Sequence, residues 1–447
     1  MKMERISELF NLVDENDNIY PDLYAKYNVK RGLRNSDGSG VLVGLTNISA
    51  VFGFQVIDED TRPIEGELFY RGYSIRELVN GFLKGKRQGF DELSFLVLFG
   101  KLPNKDELDA YSETLRNYRA VTDEFNKDMI LTHTSRDHMN MLARSVLALY
   151  KDDENPDDLS IPNLMTQSMN LIAKMPTLIA YSHRAIKYKY YGKSLVMRHP
   201  TKELSTVDNF LHLMRESGNF TKLEADTLDL CLSLHIDHGG GNNSTFTTHV
   251  VSSSGTDTYS AIAAAIGSLK GPLHGGANRL VTDMMDHVKN YVNDWSDEGE
   301  VVDYLTKLLK RQAFDRSGKV YGIGHAVYTK SDPRAIILKE KAMELAKEKD
   351  RYDEFLLYDT IERLMPDVFE EVKGYRKIMS PNVDFYSGFV YDCLNLPREI
   401  YTPLFVMARI VGWCAHRVEE IRNGKRIIRP AYKNVAYFKD YVPLDGR

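Results

Sequence analysis

The chain has 447 residues, 43% hydrophobic and 27% charged, more apolar material than one compact core usually holds, so two domains are expected. Lys and Arg number 58 against 63 Asp and Glu, a formal charge of -5, which argues against a surface built to coat nucleic acid. Cys231, Cys393 and Cys414 are widely spaced and odd in number, as in a reduced intracellular chain rather than a disulfide framework or a zinc ribbon.

In chain order, the opening MKMERISELFNLVDENDNIYPDLY has no uninterrupted apolar stretch and soon carries Glu and Asp, so no secretory or mitochondrial leader is indicated. No window reaches the roughly 18 apolar residues of a membrane span, and a soluble, cytoplasmic protein is expected. Strand-like alternation is confined to GVLVGLTNISAVFGFQVIDED near residues 40 to 60, with the minor β region reaching about 72. Helical periodicity dominates the rest, with helices expected at about 138–150, 161–190, 222–236, 258–270, 299–311, 334–349, 353–373 and 401–424. In the last of these, Leu404, Ala408, Val411, Ala415 and Val418 form one stripe that stops at Asn423-Gly424. Strands do not recur between helices, so the fold class is mainly α and a βαβ nucleotide fold is disfavoured.

Polar clusters fall where the helices break. LHIDHGGGNNSTFTTH brings His235, Asp237 and His238 to a helix end, where the glycines let backbone approach a ligand. The same residues fit an ordinary C-cap, or part of a metal site. In KGPLHGGAN the preceding helix must stop at Gly271-Pro272, and a new helix near Ala277-Asn278 places His274 at its positive entrance. That position would keep the imidazole neutral and able to donate to a developing oxyanion.

GKVYGIGHAVYTKSDPRA sets Gly322, Ile323 and Gly324 before His325 in a loop without the Gly-Lys-Ser/Thr ending of a P-loop. Asp332-Pro333 reads as N-cap and first residue of a helix, and Arg334 in its first turn opposes the helix dipole unless it holds an anion. SPNVDFYSGFVYD puts Asp384 in a Pro/Asn/Gly-rich break, where it is either an aimed carboxylate or an Asx-turn. Arg409 lies inside the apolar helix 401–424 and implies a buried anion, a snorkelled rim or a substrate. Together the histidines, the aspartate and the arginines fit acid/base chemistry on a small polycarboxylate.

The segments HIDHGGGNNSTFTTHVVSSSGTDTYSAIAAAIGSLKGPLHGGAN, GIGHAVYTKSDPRA and PNVDFYSG, in this order and spacing, resemble the citrate synthase family. LFYRGYSIRELV, FDELSFLVLFGKLPNKDEL and TVDNFLHLMRESGN extend the resemblance over about residues 40–435. Gly239 replaces the Glu of many members, and Tyr386 stands where some have His, departures that spare the catalytic set but weaken any inference about acyl-chain choice.

The resemblance implies a Claisen-type condensation of acetyl-CoA with oxaloacetate, then hydrolysis of citryl-CoA, with no cofactor and no metal. Asp384 would be the base, neutral His274 would stabilise the enolate, and His325 would protonate the oxaloacetate carbonyl. His238, Arg334 and Arg409 would bind oxaloacetate, with Arg429 reaching across from a second subunit of a homodimer. Val320, Tyr321, Gly322, Ile323 and Gly324 would lie against the CoA adenine, with Arg316 and Lys319 as nearby phosphate candidates. A large domain (1–276 and 386–447) and a smaller inserted helical domain (277–385) would close over oxaloacetate. A 2-methylcitrate synthase using propionyl-CoA needs the same residues, and a metal-dependent hydrolase built on His235, Asp237 and His238 is the alternative from another class.

Overall fold

The computed structural model describes residues 19–36, 38–57, 60–325, 327–437 and 439–446, and not the side chains of 56–61. Internal packing divides the chain into two compact units. One comprises the described parts of 1–45 and 428–447, with helix α1 (Pro21–Lys26) and the Lys433 ammonium set 5.6 Å from the Tyr27 ring. The other, 46–427, carries every expected site residue except Arg429.

The larger unit begins with a hairpin, β1 (Ser49–Ile57) and β2 (Asp60–Tyr70), extended by β3 (Tyr73–Ser74) into an antiparallel sheet of order β1-β2-β3. The strand expected from residue 40 therefore starts at Ser49, and the alternation read at 40–48 belongs to irregular chain. In register, Ser49 faces Tyr70 and Phe52 faces Glu67, with a shift between Phe52 and Phe54 that bends the ribbon.

The remainder is helical. In chain order come α2 (Ile75–Lys84), α3 (Phe90–Phe99), α4 (Lys105–Tyr118), α5 (His138–Ala148), α6 (Ile161–Tyr191), α7 (Thr206–Met214) and α8 (Lys222–His235). They are followed by α9 (Asn243–Ser252), α10 (Thr258–Lys270), α11 (Ala277–Tyr291), α12 (Glu298–Leu309), α13 (Pro333–Glu348), α14 (Tyr352–Lys373), α15 (Val383–Cys393) and α16 (Tyr401–Asn423). The starts follow from local chemistry. Asn104 with Glu107, and Thr221 with Glu224, close capping boxes on α4 and α8, each satisfying otherwise orphaned N–H groups. Gly192, at φ +64°, ends α6 in the left-handed conformation that glycine adopts without strain.

The core centres on α16, buried from Val406 to Arg417 and, but for half-buried Thr402 and Phe405, from Tyr401 on, and packed against α3, α6, α8, α9 and α10. Helices α11 to α15 pack on one another, and α8 meets this group through α13 and α15. All three cysteines are free and buried. No helix among the described residues is long and apolar enough to cross a membrane.

Candidate active site

Asp384 was read from sequence as lying in a break between helices, but it occupies the first turn of α15, whose N-cap Asn382 accepts the Asp384 N–H at 3.0 Å. The misleading glycine in this stretch, Gly388, serves close packing: a Cβ there would stand 2.9 Å from the Asn278 carbonyl oxygen of α11. The Asp384 carboxylate makes no hydrogen bond to a described residue. Burial pushes it up to about 6, against the opposing pull of Arg334. It is thus a base that stays largely ionised at neutral pH while remaining able to take a proton.

The loop carrying His325 is tied to the start of α15 by backbone. Gly324 N–H donates to the Ser380 carbonyl at 2.7 Å, Asn382 N–H to the Gly322 carbonyl at 2.8 Å, and the Asn382 side-chain amide to the Gly324 carbonyl at 2.9 Å. Gly322 and Gly324 have φ of +82° and +94°, and a Cβ on Gly322 would strike the Phe385 ring at 2.7 Å. Only glycine meets both demands. His325 Nδ1 accepts the N–H groups of Val327 and Tyr328 at 2.9 and 3.0 Å, which places the proton on Nε2. Burial holds this imidazole down to about 4, so it is neutral. Its Nε2 lies 3.5 Å from Arg334 Nη2, two donors converging where an acceptor would sit.

Arg334 does hold an anion, and that anion belongs to the chain. Asp332, N-cap of α13, accepts Arg334 Nε at 3.0 Å and Nη2 at 2.8 Å, both residues being buried. The pair also reaches α15, since Asp332 accepts the Val383 N–H at 3.1 Å. The hairpin backs this loop closely: an added Cβ would be 2.2 Å from the Val327 carbonyl oxygen at Gly53, and 2.0 Å from that of Ser331 at Gly66. Its two glycines let backbone pack on backbone, and Glu65 accepts the Ser331 hydroxyl beside them.

His274 sits in a turn, its N–H donating to the Gly271 carbonyl at 2.9 Å, ahead of α11. The expected contact with the entrance of α11 is replaced by one with α9. His274 Nε2 meets the Ser244 N–H at 3.3 Å and the Ser244 hydroxyl at 2.9 Å, in the first turn of that helix, and Trp413 donates to the same hydroxyl at 3.1 Å. With Nε2 accepting, the proton is on Nδ1. Burial and then the Arg409 charge lower this group to about 4. The glycines that follow are there for proximity, because a Cβ on Gly275 would stand 2.2 Å from the Leu269 carbonyl oxygen.

Arg409 is fully buried. Its Nε donates to the His235 carbonyl at 2.8 Å, its guanidinium lies 4.7 Å from the Phe405 ring centre, and Nη1 has no partner among the described residues. Burial lowers it to about 10, so it is still a cation at neutral pH. His238 Nε2 lies 3.2 Å from the Tyr328 hydroxyl, its ring edge-on to His325 with centres 5.3 Å apart. Burial holds His238 well below its ordinary range.

The structure therefore gathers His238, His325, Arg334, Asp384 and Arg409, with His274 reached through Phe405 and the Arg409 charge. Val320 to Gly324 lead into His325, while Arg316 and Lys319 are exposed just before them. Arg429 belongs to the other compact unit and is exposed there. Gly239 has φ +86°, a conformation glycine adopts without strain, and the Tyr386 ring lies tilted beside Tyr358 with its hydroxyl donating to Glu362. Sequence reasoning missed Ser244, Tyr328 and Phe405; only Ser244 had a signal, the polar Asn-Asn-Ser-Thr run that starts α9. Among the described residues, no group of three or more His, Cys, Asp or Glu is arranged to hold a metal ion.

The family profile described as "Citrate synthase, C-terminal domain" matches residues 36–431. The citrate synthase of Synechocystis sp. is 34% identical over 86% of this chain and 89% of its own length. The 2-methylcitrate synthase 1 of Corynebacterium glutamicum is 32% identical over 94% of this chain and 98% of its own. Among solved structures, the citrate synthase of Pyrobaculum aerophilum superposes with TM-score 0.74 at 32% identity, covering 92% of this chain and 94% of that one. The ternary complex of Thermoplasma acidophilum citrate synthase with carboxymethyl coenzyme A and oxaloacetate gives TM-score 0.74 at 26% identity, covering 94% and 99%.

Proposed function

The chain belongs to the citrate synthase family, and from that premise we propose how its own residues divide the condensation of acetyl-CoA with oxaloacetate and the hydrolysis of citryl-CoA. Asp384 removes a proton from the thioester methyl group. The Nδ1–H of His274 donates to the thioester oxygen as the enolate forms, its lone pair already committed to Ser244. The Nε2–H of His325 donates to the oxaloacetate carbonyl and protonates it as the carbon–carbon bond closes, with His238 beside it. The neutrality of these imidazoles is what makes them useful, since the groups they serve gain negative charge only in the transition state.

Arg409 and Arg334 hold the oxaloacetate carboxylates. The free Nη1 of Arg409 supports this most directly, because a buried guanidinium nitrogen without a partner is costly until an anion arrives. Arg429 from a second copy completes the clamp in a homodimer, and Val320, Tyr321, Gly322, Ile323 and Gly324 meet the CoA adenine, with Arg316 and Lys319 near its phosphates. Segment 277–385 acts as the smaller domain that closes the cleft, consistent with the mutual packing of α11 to α15. The enzyme needs no cofactor and works in the cytoplasm.

The observation that carries the reading is the pairing of an unpartnered, raised carboxylate with two imidazoles whose lone pairs are taken by backbone N–H groups. The test is release of CoA thiol on mixing the protein with oxaloacetate and acetyl-CoA or propionyl-CoA, with and without chelator. Oxaloacetate-dependent, chelator-insensitive release favouring acetyl-CoA is expected. A propionyl-CoA preference would move the enzyme to 2-methylcitrate, the activity in the name of the Corynebacterium relative.

A further inference from the structure

Asp237 lies between His235 and His238 in the turn after α8, and the reaction does not use it. It is fully buried. Its Oδ2 faces Nε2 of His416 at 3.1 Å and accepts the Gly239 N–H at 3.2 Å and the Ser49 hydroxyl. His416, on α16 and also fully buried, turns its Nδ1 to Nε2 of His249 on α9 at 3.1 Å. His249 Nδ1 meets Glu420 Oε2 at 2.8 Å, at the end of the chain nearest solvent. The glycine loop lies across the two rings, an added Cβ on Gly240 standing 3.6 Å from each.

The order Glu420, His249, His416, Asp237 thus has three links, and each link needs one proton. Two neutral imidazoles supply two. If both outer links keep their protons and both carboxylates are ionised, the His249–His416 link joins two lone pairs, which repel. One added proton repairs it. A cationic His416 then donates to Asp237 through Nε2 and to His249 through Nδ1, and neutral His249 donates its Nδ1–H to Glu420. A second observation points the same way: Glu419 Oε2 is buried without a hydrogen-bond partner and lies 3.8 Å from His416 Nδ1, so a further carboxylate faces the same ring. Its other oxygen accepts the Asn47 N–H at 2.7 Å.

We propose that Glu420, His249, His416 and Asp237 form a positioning chain that stores one proton beyond those of two neutral imidazoles and thereby fixes the turn carrying His238. The charges facing it are Glu419 and Arg409 from α16 and Arg71 from the turn after β2, with the Tyr70 hydroxyl donating to the Asp237 carbonyl at 3.3 Å. Burial raises Asp237, but His416, Arg409 and the Ser49 hydroxyl facing it outweigh that and hold the carboxyl below its usual range. Burial lowers His249, and the geometry sets His416 between two acceptors, Asp237 Oδ2 and His249 Nε2.

The consequence for substrate binding rests on the oxaloacetate site proposed above; the stored proton does not. Nitrogen-15 NMR of the full chain labelled at histidine reads the proton directly. At pH 7.5, where an ordinary exposed histidine (~6.5) is mostly neutral, one buried imidazolium is expected, assigned by its loss in Glu420→Gln. In Glu420→Gln the introduced amide can donate to His249 Nδ1, so two neutral imidazoles suffice and the imidazolium should vanish. The KM for oxaloacetate should rise several-fold between pH 7.5 and 9 in wild type and stay flat in Glu420→Gln, with kcat at pH 7.5 within about twofold. Only neutral buried imidazoles in wild type would overturn the stored proton, and this spectrum decides even if a variant fails to fold. An imidazolium with identical KM profiles in the two proteins would overturn the positioning role. Absence of turnover in wild type would refute the functional reading instead, leaving the spectrum as the test of the chain.

Discussion

Two aspartates at helix starts, buried Asp332 at the cap of α13 and half-buried Asp384 in the first turn of α15, show how partners divide one residue type into two roles. Asp332 caps its helix, grips the Arg334 guanidinium with both oxygens and accepts the Val383 N–H, and despite its burial the Arg334 charge holds it below the usual carboxylate range. Asp384 starts the next helix but one, with only its main chain engaged, and burial raises it to about 6. A helix N-terminus favours a carboxylate by about 0.3–1 kcal/mol, too little to decide the matter once burial and a bidentate arginine enter. The paired aspartate builds the site; the unpaired one is left to do chemistry.

The sharpest way to break this comparison is to truncate each. Asp384→Ala should lower kcat by about 10²–10⁴, the contribution of a positioned general base, with oxaloacetate affinity changed only a few-fold by calorimetry. Near-normal turnover would remove Asp384 from the reaction. Asp332→Asn should act on the fold, since it leaves Arg334 buried and uncompensated, at a cost of about 3–5 kcal/mol in urea unfolding. A variant as stable as wild type would mean the pair contributes little.

Arg409→Met tests the other cation. Loss of a buried charge contact typically costs about 2–5 kcal/mol, so the KM for oxaloacetate should rise by about 30-fold or more while the KM for acetyl-CoA moves less. The smallest effect is in pH. Turnover should fall through an acid limb centred near 6, about tenfold per unit below it, as Asp384 takes up its proton. Stability has a different window. The folded value of Asp332 is depressed, so its contribution is present above the ordinary carboxylate value of about 4 and is lost only as pH falls through the folded value. Activity should therefore fail before the fold does on acidification.

Much of this was legible in the sequence where local chemistry set the boundary. The helix expected at 258–270 is Thr258–Lys270, bounded by the Asp257 cap and Gly271-Pro272, and the one expected at 401–424 is Tyr401–Asn423. The Asp332-Pro333 helix start was legible for the same reason. Glycines misled where their purpose was tertiary. Gly388 resembled a breaker but lets α15 approach α11, and nothing local announces a neighbour separated by about a hundred residues of chain. The neutrality of His274 was expected from α11 and comes from burial, beside the first turn of α9, a contact set by packing on Trp413. The anion on Arg334 was foreseen but not its identity, because Asp332 was accounted for as a cap before its second role could be seen.

The central claim, that Asp384 is the base acting on the acetyl methyl group, is tested most directly by hydrogen exchange. Acetyl-CoA deuterated at the methyl carbon would be incubated with the protein and an unreactive oxaloacetate analogue, and deuterium loss followed by NMR. Washout is expected in wild type and none above background in Asp384→Ala, with analogue binding retained. Equal washout in both proteins would contradict it and assign proton abstraction to another group.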